Sequence, residues 1–159
     1  MNQRRAGRDS RSAARLLTVI VAVAMSFGWR LGIPQDVSGQ TTQPVILATG
    51  QWTGADAAHQ AQGKARLIRL PDGRRFLRFE EFRVTNGPDL YVYLSGHRAP
   101  RNRAQLHEGA AFEVGVLKGN IGNQNYELPA DLDLSKFKSA AIYCKRFSVM
   151  FGSAELMSP

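Results

Sequence analysis

Cys144 is the only cysteine in the chain, and its side chain suggests the most specific chemistry. A lone thiol cannot form an intramolecular disulfide, and in an oxidising compartment it is open to oxidation unless it is buried or bound to a ligand. Three interpretations stay open: a buried small hydrophobic residue, a redox-active thiol or a soft metal or haem ligand, and an intermolecular disulfide partner. Strand alternation would allow Arg146, but not Lys145, to lie on the same face as the thiol.

Two further residues are candidates for joining Cys144 at a prosthetic group. His59 and Met150 carry side chains that ligate haem iron in proteins, so a Cys/His or Cys/Met pair is one use for the lone sulfur. A surface or turn-capping role is the alternative for His59. His97 and His107 lie in an arginine-rich loop, and no CxxC, CxxCH or HExxH motif is present. Haem is therefore the cofactor that these residues suggest, and no metal site is expected apart from Cys144 as a ligand.

Other catalytic patterns are missing from the sequence. No GxSxG motif is present, and a strand would place the adjacent Glu80 and Glu81 on opposite faces rather than as a pair. Gly119 and Gly122 resemble a phosphate loop superficially, but the lysine precedes the glycines and no helix follows. An asparagine-rich turn is expected there, with polar-ligand or sugar binding as the alternative. The chain is more typical of an electron-transfer or binding module than of a stand-alone enzyme.

Short alternating apolar runs separated by turns predict an all-β chain that forms a single antiparallel β-sandwich. Pro71-Asp72-Gly73 suits a hairpin loop, and Leu90, Val92 and Leu94 should face the core while the intervening tyrosines face outward. Only residues 54–62 have a helix-friendly composition, and residues 131–138 suit a turn or a single helical turn. The expected strands are 65–70, 75–84, 90–95, 112–116, 126–128, 139–144 and one that begins at Ser148.

The N-terminal region has the order of a secretory signal. Five arginines precede the apolar residues 16–29, and small polar residues follow. A helix of this run would measure about 21 Å, short of a hydrocarbon core of about 30 Å, although a snorkelling Arg30 would let it remain as an anchor. We therefore expect a signal peptide or uncleaved signal anchor at 1–39, a linker at 40–47 and the domain at 48–159. A chain of 159 residues suits this division.

The net charge of +8 is poor evidence for a nucleic-acid partner. Residues 1–39 contain six arginines and two aspartates and so carry half of it; residues 40–159 contain 15 basic and 11 acidic groups, interspersed along the sequence. Aromatic residues do not interleave with the basic loop 97–107 as base stacking requires.

We expect an extracytoplasmic protein that is periplasmic, secreted or anchored to the outer face of the cytoplasmic membrane. Membrane contact is expected only through residues 16–29, if they are uncleaved.

Several sequence blocks resemble the DM thirteen electron-transfer domain family over residues 48–156. LKGNIGNQNYELP at 117–129 and AIYCKRFSVMFGSAEL at 141–156 are similar to its C-terminal half, which has one cysteine followed by phenylalanine on the last strands. His59 and Gly63 are similar to its His-x-x-x-Gly pattern. The resemblance implies an extracytoplasmic, DOMON-like β-sandwich whose cysteine works as a naked thiol or as a ligand to a prosthetic group such as haem.

Two functions follow from these observations. The first is a small exported redox module in which Cys144 exchanges electrons with an unknown redox partner, through its sulfur or through a bound haem or metal. The second is a non-catalytic binding or structural domain of the cell envelope, in which Cys144 is buried and inert and the partner is another envelope protein.

Overall fold

The computed structural model describes residues 43–159; the predicted signal or anchor helix lies outside the described residues. The described part is all-β and antiparallel, which confirms the predicted fold class. A short helix, α1 (Arg103–Leu106), and a 3-10 turn (Leu134–Lys136) are added to it. Its strands are β1 (Val45–Gly54), β2 (Ala61–Arg69), β3 (Arg75–Val84), β4 (Leu90–Ser95), β5 (Ala111–Val116), β6 (Gln124–Leu128), β7 (Ser139–Cys144) and β8 (Val149–Glu155). Within residues 43–159, no helix has the length and apolar character needed to cross a membrane.

The strands follow one another in the order β5-β4-β7-β8-β1-β2-β3-β6, and β1 joins the two halves of this sheet. Its residues from Val45 to Gln51 pair with β2, whereas those from Trp52 to Gly54 pair with β8. We call β1-β2-β3-β6 the first half-sheet and β5-β4-β7-β8 the second half-sheet. Because β1 begins at Val45, the sheet includes the last three residues of the segment expected to be a linker, 40–47.

The core lies between the inner faces of the two half-sheets. Leu90, Val92 and Leu94 of β4 are buried in the main apolar cluster, whereas Tyr91 and Tyr93 pack on the outer face. The alternation predicted for this strand is therefore confirmed. In the first half-sheet, the cross-strand row Ala48, Leu67, Leu77 and Tyr126 supplies the facing side of the core.

Bulges interrupt the simple alternation of several strands. The pairing of β2 with β3 shifts between Gln62 and Lys64, where Gly63 has φ 103° and Glu81 has φ 51°. This shift turns both Phe79 and Phe82 into the core although they lie three residues apart. A second shift, in β5 opposite Val92 and Tyr93, leaves Val116 exposed on the outer face.

The helix-friendly residues 54–62 do not form a helix. Instead β1 continues to Gly54, and the Asp56 carboxylate accepts the backbone N–H groups of Ala58 and His59 at 2.8 and 2.9 Å. This local hydrogen bonding gives the backbone an alternative to a helix, so composition alone is misleading here. The 3-10 turn falls within the predicted residues 131–138.

Candidate functional site

Cys144 is the last residue of β7 and is fully buried, with 0% of its surface exposed. β7 lies between β4 and β8, and the cross-strand neighbours of Cys144 are Leu90 and Val149. Its side chain belongs to the main apolar cluster together with Ile142 and Phe151. The sulfur is therefore surrounded by apolar side chains and is closed to solvent.

The loop between β3 and β4 packs tightly beside the Cys144 end of the core. A Cβ atom added to Gly87 would lie 2.7 Å from Cδ2 of Leu90 and 2.8 Å from Cζ of Phe151. The backbone N–H of Lys145 donates to the carbonyl of Asp89 at 3.0 Å, which ties this loop to the turn after β7. Only glycine allows this approach without movement of the neighbouring side chains.

His59 lies in the loop between β1 and β2 and is held there by Asp56. Its Nδ1 atom is 2.8 Å from Oδ2 of Asp56, and its ring centroid is 4.4 Å from that of Phe151. The side-chain hydrogen bond from His59 is the largest cause that lowers the pKa of Asp56. His59 thus has the geometry of a turn-stabilising residue, and it approaches the cluster that contains Cys144 through the Phe151 ring.

Met150 lies on the other face of the second half-sheet. The pairing of β7 with β8 shifts after Ile142, so that Phe151 is the extra residue and Met150 pairs with Tyr143. Met150 consequently belongs to a second apolar cluster, with Tyr93, Leu106, Ala141 and Tyr143. The structure therefore does not bring Met150 and Cys144 together.

A charged network, which sequence reasoning missed, lies on this outer face. The Tyr93 hydroxyl donates to Oε2 of Glu113 at 2.7 Å, and Nζ of Lys145 is 2.8 Å from the same carboxylate. Nζ of Lys145 also lies 3.6 Å from the centroid of the Tyr91 ring. The hydrogen bonds from Lys145 and then Tyr93 lower the pKa of Glu113. The outward tyrosines were visible in the alternation of β4, but their acidic partner on β5 was not.

The burial of Tyr93 is the first cause that raises its pKa, followed by its hydrogen bond to Glu113. Lys145, held in this network, is directed away from the Cys144 side of the strand, and Arg146 is exposed in the following turn. A cleft of about 300 Å³ opens beside the network, lined by Tyr93, Arg103, His107, Tyr143, Lys145 and Ser148.

The asparagine-rich block before β6 forms internal hydrogen bonds. Asn123 accepts the backbone N–H of Glu81 at 2.8 Å, which satisfies the bulged residue of β3. The amide of Gln124 donates to the carbonyl of Gly119, and its oxygen accepts the Tyr126 hydroxyl, each at 2.6 Å. The segment forms bends rather than the expected hydrogen-bonded turn, and these amides fix the connection between the two half-sheets.

A family model described as Electron transfer DM13 matches residues 55–156, which is well over half of the chain. The chain belongs to the DM13 electron-transfer family. The matched region of this DM13 domain runs from the His59 loop through Cys144 to the end of β8. No curated protein and no solved structure matches the chain significantly.

A haem in this DM13 domain would need an open cleft beside Cys144, His59 or Met150. Five clefts described for residues 43–159 have none of these three side chains in their lining. Cys144 is sealed in the core, and Met150 faces the opposite side of the sheet. The residues as packed therefore do not fit a haem. Among the described residues, no group of three His, Cys, Asp or Glu is placed to hold a metal ion.

Proposed function

We propose that this DM13 chain is a small exported electron-transfer module in which Cys144 exchanges electrons through its sulfur. The observation that carries the proposal is the DM13 match, because it spans β7 and so includes the single cysteine of the chain. The enclosed position of that cysteine adds a condition: the thiol reacts from an opened form of the domain.

The reaction that suits a single thiol is exchange with a disulfide of a partner. The Cys144 thiolate attacks one sulfur of the partner disulfide, an S–S bond forms between the two molecules, and the second partner sulfur leaves as a thiolate. The Cys144 proton goes to solvent, and the partner disulfide is the oxidant. A thiolate of a dithiol protein then attacks the Cys144 sulfur and releases the remaining partner sulfur as a thiolate. The second thiol of that dithiol attacks the new S–S bond, and Cys144 leaves as a thiolate, so two electrons pass from the dithiol, now a disulfide, to the partner.

Opening at the β3–β4 loop would give access to the sulfur. Gly87 contacts Leu90 and Phe151, and the hydrogen bond between Lys145 and Asp89 joins this loop to the β7–β8 turn. Local openings of this kind are a general property of loops. No step through haem is proposed, because the packed residues do not fit that group.

Export is the second part of the proposal. The arginine-rich start and the apolar run 16–29 support translocation of the domain out of the cytoplasm, either as a cleaved protein or as one anchored by that run. Disulfide-bearing partners are common in such compartments. The expected partner is therefore an envelope protein that carries a reactive disulfide or dithiol.

A thiol–disulfide titration of the exported form tests the proposal. The folded protein is mixed with the aromatic disulfide DTNB, and the released aromatic thiolate is measured together with the visible spectrum. We expect one equivalent released slowly from the wild type and none from Cys144→Ser, with near-ultraviolet circular dichroism confirming that both are folded. The electron-transfer role is rejected if the folded wild type reacts with DTNB no faster than it unfolds globally and also shows no Soret band.

The second candidate is a binding or structural domain of the cell envelope with an inert Cys144. The complete burial of the sulfur favours it, as does a separate polar cleft of about 430 Å³. That cleft is lined by Gln60, Ala61, Gln62, Arg83, Val84, Thr85, Asn86 and Ile121, a set that offers amides and a hydroxyl to a polar ligand. Unchanged function in folded Cys144→Ser favours this candidate, whereas lost redox activity favours the first.

A further inference from the structure

Asn86 is the one asparagine in the chain that is followed by glycine. It lies in the loop between β3 and β4, and its side chain is exposed. The side-chain amide of an asparagine reacts with the backbone nitrogen of the next residue to close a five-membered succinimide ring. A Cβ atom on that next residue hinders the approach, and Gly87 has none. Ring closure is therefore least hindered in the loop that packs beside the Cys144 end of the core.

The two reacting groups are available in the fold. The N–H of Gly87 donates no hydrogen bond to a backbone carbonyl within residues 43–159. The side-chain oxygen of Asn86 accepts a hydrogen bond from the side-chain amide of Asn120. Negative charge develops on this oxygen as the ring closes, so a donor that is already in place favours the reaction.

Asp72 and Gly73 show the opposite arrangement. An aspartate followed by glycine undergoes the same ring closure, but the N–H of Gly73 donates to the carbonyl of Leu70 at 2.9 Å. The Asp72 carboxylate accepts a hydrogen bond from Nε of Arg74 at 2.9 Å, and hydrogen bonds from Arg74 lower the pKa of that carboxyl group. An ionised carboxylate resists attack by a nucleophile. Asp72 is therefore an internal reference that should stay unmodified.

Each of the other asparagines among the described residues precedes a residue with a side chain: Asn102, Asn120, Asn123 and Asn125. The residues that follow two of them, Gln124 and Tyr126, are also paired with β3. Strand pairing fixes the backbone and opposes the movement that ring closure needs. Residues 85–89 lie outside the strands. The reaction should therefore be selective for Asn86.

We propose that Asn86 is a site of spontaneous deamidation, and that the isoaspartate formed there opens the loop over Cys144. The Gly87 nitrogen attacks Cγ of Asn86 and forms a C–N bond, its proton goes to solvent, and the side-chain nitrogen takes a proton from solvent and leaves as ammonia. Water then adds to one carbonyl of the ring and breaks the C–N bond there. Addition at Cγ gives aspartate, and addition at the backbone carbonyl gives isoaspartate, in which the main chain runs through Cβ and Cγ.

Isoaspartate lengthens a loop that is held at both ends. The N–H of Thr85 donates to the carbonyl of Gln60 at 2.9 Å, and the carbonyl of Asp89 accepts the N–H of Lys145 at 3.0 Å. Isoaspartate adds one atom to the main chain between these two hydrogen bonds, which is one more C–C bond of about 1.5 Å. With both ends held, the extra length must displace the residues in the middle of the loop.

Gly87 is in that middle part, and it has no room to move inward. Even a Cβ atom there would lie 2.7 Å from Cδ2 of Leu90 and 2.8 Å from Cζ of Phe151. Leu90 is the cross-strand neighbour of Cys144, and Phe151 belongs to the same apolar cluster. The longer loop therefore moves outward and uncovers these side chains. Deamidation would supply the opened form that the proposed function requires, and its use in the cell rests on that function.

Peptide mapping of the full chain tests the modification. The folded protein is incubated at mildly alkaline pH, digested with trypsin and compared with a zero-time sample, and isoaspartate is located by electron-transfer fragmentation. We expect loss of the unmodified peptide 84–98, but not of peptides 70–74 and 119–136, which contain Asp72 and three other asparagines. Asn86→Ser is the control that cannot close the ring. Equal modification of the three peptides, or isoaspartate that appears only in urea, would overturn the proposal.

Access to the sulfur is the second arm of the test. The isoaspartate form, isolated by chromatography, should react with iodoacetamide at Cys144 at least about tenfold faster than fresh protein, the ratio expected when one covering side chain leaves the core. Asn86→Asp is the matched control, because it adds the same charge without lengthening the main chain, and it should react at the rate of fresh protein. Equal rates in the isoaspartate form and in this variant would overturn the proposal. A Cys144 that fails to exchange with disulfides would reject the electron-transfer role and leave both results unchanged.

Discussion

Alkylation of Cys144 should be slow in the folded protein and fast after unfolding. Exposure of the sulfur requires at least Leu90 and Phe151 to leave the core, because one is its cross-strand neighbour and the other belongs to the same apolar cluster. Exposing each of these side chains costs about 1.5 to 3 kcal/mol, which gives a total opening free energy of about 3 to 6 kcal/mol. The rate should therefore be about 10² to 10⁴ times lower than for the unfolded chain.

The assay measures the rate of modification by iodoacetamide, by mass spectrometry, with and without urea. Phe151→Ala should accelerate modification of the folded protein by about 10- to 150-fold, because it removes the share of the opening free energy assigned to that side chain, about 1.5 to 3 kcal/mol. If that variant does not fold, Phe151→Leu replaces it, with a smaller acceleration in the same direction. Phe147→Ala is the matched control, since Phe147 is 64% exposed in the adjacent turn. A wild-type rate within tenfold of the unfolded rate, or equal effects of the two alanine variants, would refute the reasoning.

Three further results are expected. Gly63→Ala should lower the free energy of unfolding, measured in urea, by more than Gly73→Ala. Both glycines have positive φ, but a Cβ at position 63 would meet the Glu81 carbonyl at 2.6 Å, whereas none of the described atoms lies within 4 Å of one at position 73; equal losses would contradict this. Because the pKa of Tyr93 is raised in the fold, its contribution to stability is present below pH 10.0 and decreases as the pH rises further. Tyr93→Phe should therefore show a shallower loss of stability at alkaline pH, and an unchanged slope would argue against the raised pKa. The lowered pKa of Glu113 has the opposite sign: its contribution is present above pH 4.5 and is lost as the pH falls through the folded pKa. Glu113→Gln should flatten the acid limb of the stability profile by less than about 1 kcal/mol, because the carboxylate is 41% exposed; an equal loss of stability at neutral and at acid pH would disagree.

Local periodicity was sufficient to predict several elements of the fold. The alternation in residues 90–95 placed Leu90, Val92 and Leu94 in the core, and the predicted bounds of β7 are those observed. These predictions succeed because one face of each strand is buried, so the polarity pattern reports the direction of each side chain. The same reasoning put Cys144 at the end of a buried strand.

Bulges account for much of what could not be predicted. The extra residue Phe151 in β8 places Met150 on the face opposite Cys144. The alternation of residue types along β8 does not show that this extra residue is present. The bulge at Gly63 and Glu81 similarly depends on the pairing of two strands. Such register shifts are set by tertiary contacts, which no single strand encodes.

One missed element did have a local signal. α1 lies within the basic loop 97–107, where no helix was expected, and its Leu106 is fully buried. Asn102 caps the helix by accepting the backbone N–H of Gln105 at 3.0 Å. An asparagine three residues before a glutamine is a recognisable helix start, which the abundance of arginine obscured.

The role of β1 as the strand common to both half-sheets has a mechanical consequence. A pulling force transmitted through the residues before Val45 would act along the axis of β1, whose hydrogen bonds to β2 lie across that axis. These hydrogen bonds would share the load in shear, so they would not break one after another. The farther part of the strand, from Trp52 to Gly54, is held by β8 and would resist extraction from the other half of the sandwich.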